Sequence, residues 1–217
     1  MRKSLLTLPA AAALVLAAPA LAVAAPPYTV AVGGSTATAN HAFTASSGPI
    51  NFTTLGAIQN SMGCDSAGAS GNVHAGTGKS GTAPSGQPAT IANTTWNNCS
   101  EQFGTPLTVA HSGSWYLEAT DTSVSTGGTD NVDGRISNIK AHVYDASGGC
   151  DFWVEGVADG HFDEANQDVV VTEDGSDGSL AVTTVSGSCL GMVAPGDPAA
   201  FSGTFSLNAG IGFVNVS

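Results

Sequence analysis

The sequence predicts an all-β fold: an antiparallel β-sandwich or flattened barrel, built from two related halves and stapled by two disulfides. Three observations carry that prediction. A cysteine-containing unit occurs twice, and no stretch after residue 25 has helical periodicity. The apolar segments are short, β-branched or aromatic, and separated by turn residues.

The duplication comes first. Gly63, Cys64 and Asp65 return as Gly149, Cys150 and Asp151, and a second cysteine follows each copy, Cys99 or Cys189. Beyond each of those lies a matching block, Ser112 to Ala119 and Ser202 to Ala209, which aligns Trp115 with Phe205. Self-similarity at fixed offsets marks a repeated structural unit. Residues 25–217 are therefore expected to form one β domain with halves at about 40–125 and 126–217. Four cysteines allow three pairings, and the duplication favours Cys64–Cys99 with Cys150–Cys189, since each half then closes itself. Rings of this size stabilise by about 4 kcal/mol each in the chain-entropy account. Zinc ligation would want close pairs such as Cys-x-x-Cys, and the sequence has none.

The strands expected in order are 28–32, 50–54, 90–96, 107–111, 114–120, 136–144, 152–157, 169–172, 180–185, 203–207 and 212–216. Ile139, Ala141 and Val143 alternate with Lys140, His142 and Tyr144, the pattern of a half-buried antiparallel strand. Turn-rich stretches at 66–82, 126–133, 174–178 and 195–198 are expected to be loops. Residues 67–88 in particular, nearly devoid of bulky side chains, predict an exposed mobile loop inside the first disulfide ring.

Residues 1–24 have the form of a cleaved export signal: Arg2 and Lys3, then an apolar run interrupted by Pro9 and Pro19, then small residues. The expectation is secretion, with extracellular or cell-wall localisation and no transmembrane segment in the mature chain. The formal charge is −12, with 5 basic residues against 17 carboxylates. Removing Arg2 and Lys3 takes it to −14 and leaves Lys79, Arg135 and Lys140 as the only basic side chains. Such a chain repels phosphate backbones, so nucleic acid is excluded as a partner and anionic head groups are disfavoured.

The segment from Cys189 to Phe205 is similar to the closing segment of a group of secreted actinobacterial proteins of about 200 residues. The order Cys64, Cys99, Trp115, Cys150, Cys189 and a final strand also resembles the PraB-type alkane-oxidation activator proteins secreted by pseudomonads. The resemblance implies a secreted β fold without known catalytic residues and, through the second group, a connection to hydrocarbon use at the cell surface.

Candidate sites are sparse. Gly78, Lys79 and Ser80 imitate part of a phosphate-binding loop, but Val73 stands where its first glycine belongs. Asp130, Asn131 and Asp133 fall partly into the register of a calcium loop, which Thr129 and Lys140 break, and Asp174 and Asp177 lie in a second acidic turn. These are weak calcium candidates beside ordinary turn chemistry, and no other cofactor is expected. His161 and Asp163 would share a strand face without a third ligand. Adjacent Phe152 and Trp153 must point to opposite faces, so one of them, together with Tyr144, is a candidate surface aromatic. No catalytic constellation emerges. The sequence thus points to a secreted non-enzymatic protein acting on envelope glycan, an apolar surface or itself. A calcium-assisted carbohydrate-binding module is the alternative, and a hydrolase with an unrecognised site the third reading.

Overall fold

A computed structural model describes residues 27–121, 130–208, 210 and 212–217. The expected export segment 1–24, the boundary of the halves near 125, and Thr129 lie outside the described residues. Within them the chain forms fifteen strands, with every strand pairing antiparallel.

β1 (Tyr28–Val32) stands apart from a regular succession in which strands continue one another end to end. β2 (Ala39–Ser47) and β3 (Ile50–Thr54) make the first long stave. β4 (Asn60–Cys64) and β5 (Ser66–Lys79) make the second, pairing with β3 and β2 in turn. β6 (Ala89–Asn97) and β7 (Cys99–Glu101) form the third, β8 (Pro106–His111) and β9 (Trp115–Ala119) the fourth. β10 (Asn131–Tyr144) and β11 (Cys150–Asp163) are uninterrupted. β12 (Asp168–Glu173) and β13 (Leu180–Gly187) share the seventh position, with the acidic turn 174–179 as an excursion between them. β14 (Ala199–Leu207) is the eighth and returns to the first, pairing Phe205 with Ser47 and Ala199 with Thr54.

Each stave is hydrogen-bonded to the next and the last to the first, so the sheet is a closed up-and-down barrel. Closure removes the unpaired edges that an open sheet would expose. It also decides between the two expected architectures in favour of the barrel. Staves two to four carry Cys64, Cys99 and Trp115, while staves six to eight bring Cys150, Cys189 and Phe205 to the opposite wall.

Alternation builds the inside and outside. Phe43 and Ala45 are buried between exposed Ala42, Thr44 and Ser46, and Ala141, Val143, Phe152 and Val154 follow the same rule on β10 and β11. Outward positions are dominated by serine, threonine, asparagine and carboxylates, the inverse of a lipid-facing barrel band. No helix among the described residues is long and apolar enough to cross a membrane.

The expected loop at 66–82, and with it the mobile stretch 67–88, is corrected. Residues 66–79 are the long strand β5, which pairs with β2 along one edge and with β6 along the other. Its glycines and serines lack side-chain strand propensity, but two complete ladders hold them, and Ala67, Val73 and Ala75 face the core.

Both disulfides rivet one end of the barrel: Cys64–Cys99 joins staves two and three, and Cys150–Cys189 ties β11 to the segment after β13. The opposite end carries β1 and β15 (Val214–Val216), which pair with each other, Val30 opposite Val216. β1 also pairs with the end of β5.

Candidate functional site

The barrel interior is lined but not filled. Inward residues Phe52, Trp96, Leu107, Val109, Leu117, Val169, Phe201 and Leu207 pack on the core yet stay only partly buried, because they border empty space. A close-packed interior would leave few voids larger than a water. Here three voids adjoin along the lumen. One of about 80 Å³ lies toward the terminal strands, bounded by Val132, Ala158, Val171, Val214 and Val216 among others. A second of about 80 Å³ lies toward the disulfides, bounded by Phe52, Met62, Leu107, Val143 and Phe201. A smaller one of about 30 Å³ sits between them, walled by Ala69, Thr94, Trp115 and Phe205. Ile136 borders all three.

Small residues make this room. Gly134 and Gly160 are direct cross-strand partners on the wall of the first void. A Cβ on either would lie 2.3 or 2.2 Å from a carbonyl oxygen of the neighbouring strand, so the staves curve there more tightly than a side chain allows. Eight staves give an interior just wide enough for side chains or one slender guest.

The lumen offers a guest almost no polar partner. Thr94 is its one hydroxyl in the central void, and that oxygen accepts from Trp96 Nε1 at 2.8 Å and lies 3.3 Å from His111 Nδ1. Trp115 spends its indole N–H on the Ser112 carbonyl at 3.1 Å. What remains is apolar wall, a lining of the kind that stays dry.

The surface aromatics fall differently. Phe152 is fully buried and is corrected as a surface candidate: it shares the inward parity of Cys150 and Val154. Trp153 and Tyr144 face outward and are half-buried. Both belong to a column centred on His142, which stacks on Trp153 at 4.6 Å and 7° and meets Tyr144 at 4.8 Å. Lys140 Nζ lies over the Trp153 ring, 5.0 Å from its centroid, and His142 Nε2 is 2.9 Å from Asp151 Oδ1. Side chains stand upright on a sheet, so these rings lie face to face and show their edges to solvent. A sugar-stacking platform needs the faces.

The calcium candidates lie partly on a strand and partly in a turn. Asn131 and Asp133 belong to strand β10, opposite Asp163 and His161, and not to a loop that could wrap a cation. Asp174 and Asp177 cap their own turn, accepting Ser176 N and Ser179 N at 2.8 Å each. The side chain and backbone of Ser176 hold Asp174 below the usual range, and the backbone and side chain of Ser179 do the same for Asp177. Asp163 caps the next turn, accepting from Asn166 N and Nδ2. Lys79 ends β5, so the phosphate-loop imitation sits on a strand terminus.

Two buried carboxyls hold the terminal end together. Glu164 has no exposed surface and accepts Val216 N at 2.5 Å and Asn215 Nδ2 at 2.9 Å. Burial, reinforced by the neighbouring Asp130 carboxyl, pushes it up to about 7 against the pull of those donors. Beside it Gln167 brackets Val214, donating to its carbonyl and accepting its N–H. Glu118 accepts Arg135 Nε at 2.7 Å, Ser137 Oγ at 2.8 Å and Ala83 N at 3.0 Å. Burial would raise it, but those three donors prevail and hold it below the usual range. Glu164 thus clamps the last strand and borders none of the three voids.

The sequence reading missed the lumen because alternation tells inside from outside but not whether the inside is full. A usable signal existed: inward positions such as Ala69, Ala89, Ala119 and Ala158 are small where a filled core wants leucine. No family model, curated protein or solved structure matches the chain.

Proposed function

We propose that this chain is an extracellular, non-catalytic binding protein whose barrel lumen holds a slender apolar molecule such as a hydrocarbon or acyl chain. One observation carries the reading: three contiguous voids run along the barrel, bounded by aliphatic and aromatic walls whose inward side chains remain partly exposed. Burial of a chain against these walls supplies the affinity, about 0.8 kcal/mol for each methylene removed from water. The engaged Thr94 hydroxyl favours a guest without a polar group in the middle of its length. The paired disulfides and the export-like start support placement outside the cell, and the resemblance to proteins connected with hydrocarbon use agrees with an apolar guest.

The test is uptake. A polarity-sensitive fluorescent fatty acid titrated into the purified, oxidised protein should bind saturably and be displaced by n-alkanes or unlabelled alkanoic acids. An added guest should also raise the melting temperature. Neither saturable uptake nor a thermal shift would leave the voids as packing defects. The carbohydrate-binding alternative has weaker support, because Trp153 has His142 and Lys140 against its ring.

A further inference from the structure

Four large apolar side chains are exposed among the described residues, and three of them share one end of the barrel. Ile58, 53% exposed, is in the turn between β3 and β4; Phe103, 69% exposed, is between β7 and β8; Leu190, 66% exposed, follows β13. All three loops lie at the disulfide end. Phe213, 44% exposed, lies at the other.

These side chains are presented, not merely stranded. Phe103 rides a tight turn closed by Gly104 N on the Glu101 carbonyl at 2.8 Å and Glu101 N on the Thr105 carbonyl at 3.1 Å. Leu190 has φ +53 and follows Cys189 at φ +40, two successive left-handed residues in a conformation that costs free energy for a residue with a Cβ. The Cys150–Cys189 bridge and the bond from Cys189 N to the Gly149 carbonyl hold that geometry, which aims Leu190 into solvent while Met192 and Val193 turn inward. The loops also brace one another: Gln102 Nε2 donates to Met192 Sδ at 3.5 Å, and Leu55 N to the Pro198 carbonyl at 2.8 Å.

The carboxylates at this end are hydrogen-bonded, and no cation accompanies them in the loops. The loops at 55–59, 102–105, 145–149 and 188–198 hold no lysine or arginine. Asp145 accepts from Ser147, Gly149 and Cys150, Asp197 from Ala194, and Asp65 from Asn98. Ile58, Phe103 and Leu190 are thus separate apolar prongs, each in a loop without a basic residue. Three separate prongs suit a fluid layer that closes around each of them, whereas a protein partner would want one continuous patch.

We propose that the disulfide end of the barrel seats on a lipid surface of zero net charge, with Ile58, Phe103 and Leu190 as the inserting side chains. The absence of basic residues in those four loops, on a chain of formal charge −12, gives anionic head groups nothing to attract. Seating does not depend on what the lumen holds, although the second void is the one that lies toward this end.

The oxidised full chain should float with phosphatidylcholine vesicles and bind less well when phosphatidylglycerol is included. Phe103→Ser should weaken that binding roughly 10- to 100-fold. The triple variant Ile58→Ser, Phe103→Ser, Leu190→Asn should abolish it with an unchanged melting profile, while Phe213→Ser at the far end should bind as the wild type does. Retained lumen uptake by the triple variant would separate seating from the lumen reading. No flotation of the wild type, or equal flotation of the triple variant, overturns the proposal. So does a dimer in sedimentation that the same three substitutions dissolve, since the prongs would then join two copies of the chain.

Discussion

Trp96 and Phe201 meet edge to face across the lumen, with ring centroids 6.0 Å apart and planes at 65°. Both border the central void and the void toward the disulfides, so this pair divides one from the other. A guest longer than one void must pass it.

Phe201→Ala is expected to merge the two voids and to shift the preferred guest toward longer chains. Because Phe201 is only half-buried beside existing empty space, its loss should cost about 3 kcal/mol, the low end for a phenylalanine truncation. Displacement titrations with a homologous series of alkanoic acids read the preference directly. An optimum that stays where the wild type has it means that the ring pair does not set the length.

Glu164 gives the terminal end a pH dependence of unusual sign. Its carboxyl titrates at about 7 in the folded chain, above the ordinary 4.5. Between those values the folded form keeps a proton that the unfolded chain has released, so stability falls as pH rises through that window. The neighbouring Asp130 strengthens the trend. His74, lowered by burial and then by Lys79, works in the opposite direction below its ordinary 6.5. The measurement is therefore the difference between two melting series from pH 4.5 to 8, wild type and Glu164→Gln. The amide keeps an acceptor for Val216 N and removes the proton equilibrium, so the wild type should lose its advantage as pH rises. Parallel curves would assign the slope to other groups.

Glu118 and Arg135 should behave as a unit. Glu118 is nearly buried while Arg135 keeps 41% of its side-chain surface exposed, so the carboxylate depends on the pair more than the guanidinium does. Arg135→Met is expected to cost about 1–3 kcal/mol, and Glu118→Gln added to it should recover part of that loss. Chemical denaturation of the three variants closes the cycle, and simple additivity would show that Ser137 and Ala83 satisfy Glu118 without the arginine.

Much of the scaffold was legible in the sequence, and the reason is local. The duplicated cysteines predicted both disulfides, and the alternation around Ile139 to Tyr144 predicted an inside and an outside that the barrel respects. What escaped depends on partners far away in sequence. β5 carries glycine, serine and alanine, and only its ladders to β2 and β6 make it a strand. Closure through Phe205 opposite Ser47 leaves no trace in either segment. Phe152 and Trp153 were correctly set on opposite faces, but their order follows from the parity of Cys150 and Val154, a clue the aromatic pair itself does not hold. Ile58, Phe103 and Leu190 drew no notice because a lone apolar residue in a polar loop is ordinary until three occupy one end.

The two disulfides, alike in sequence, should differ in consequence. Cys64–Cys99 joins staves already paired at Met62 with Glu101 and Gly63 with Ser100, so it adds a constraint to a formed ladder. Cys150–Cys189 anchors the segment that buries Met192 and Val193, whereas Cys64 and Cys99 themselves line the second void. The chain-entropy account assigns each about 4 kcal/mol, for sequence separations of 35 and 39 residues. Paired alanine substitutions should therefore lower stability to a similar degree. Only the loss of Cys64–Cys99 should also speed release of a bound apolar guest, because only those two cysteines line the second void. Stopped-flow displacement of a fluorescent fatty acid separates the two, and equal release rates would mean that the guest leaves by the terminal end, past β15.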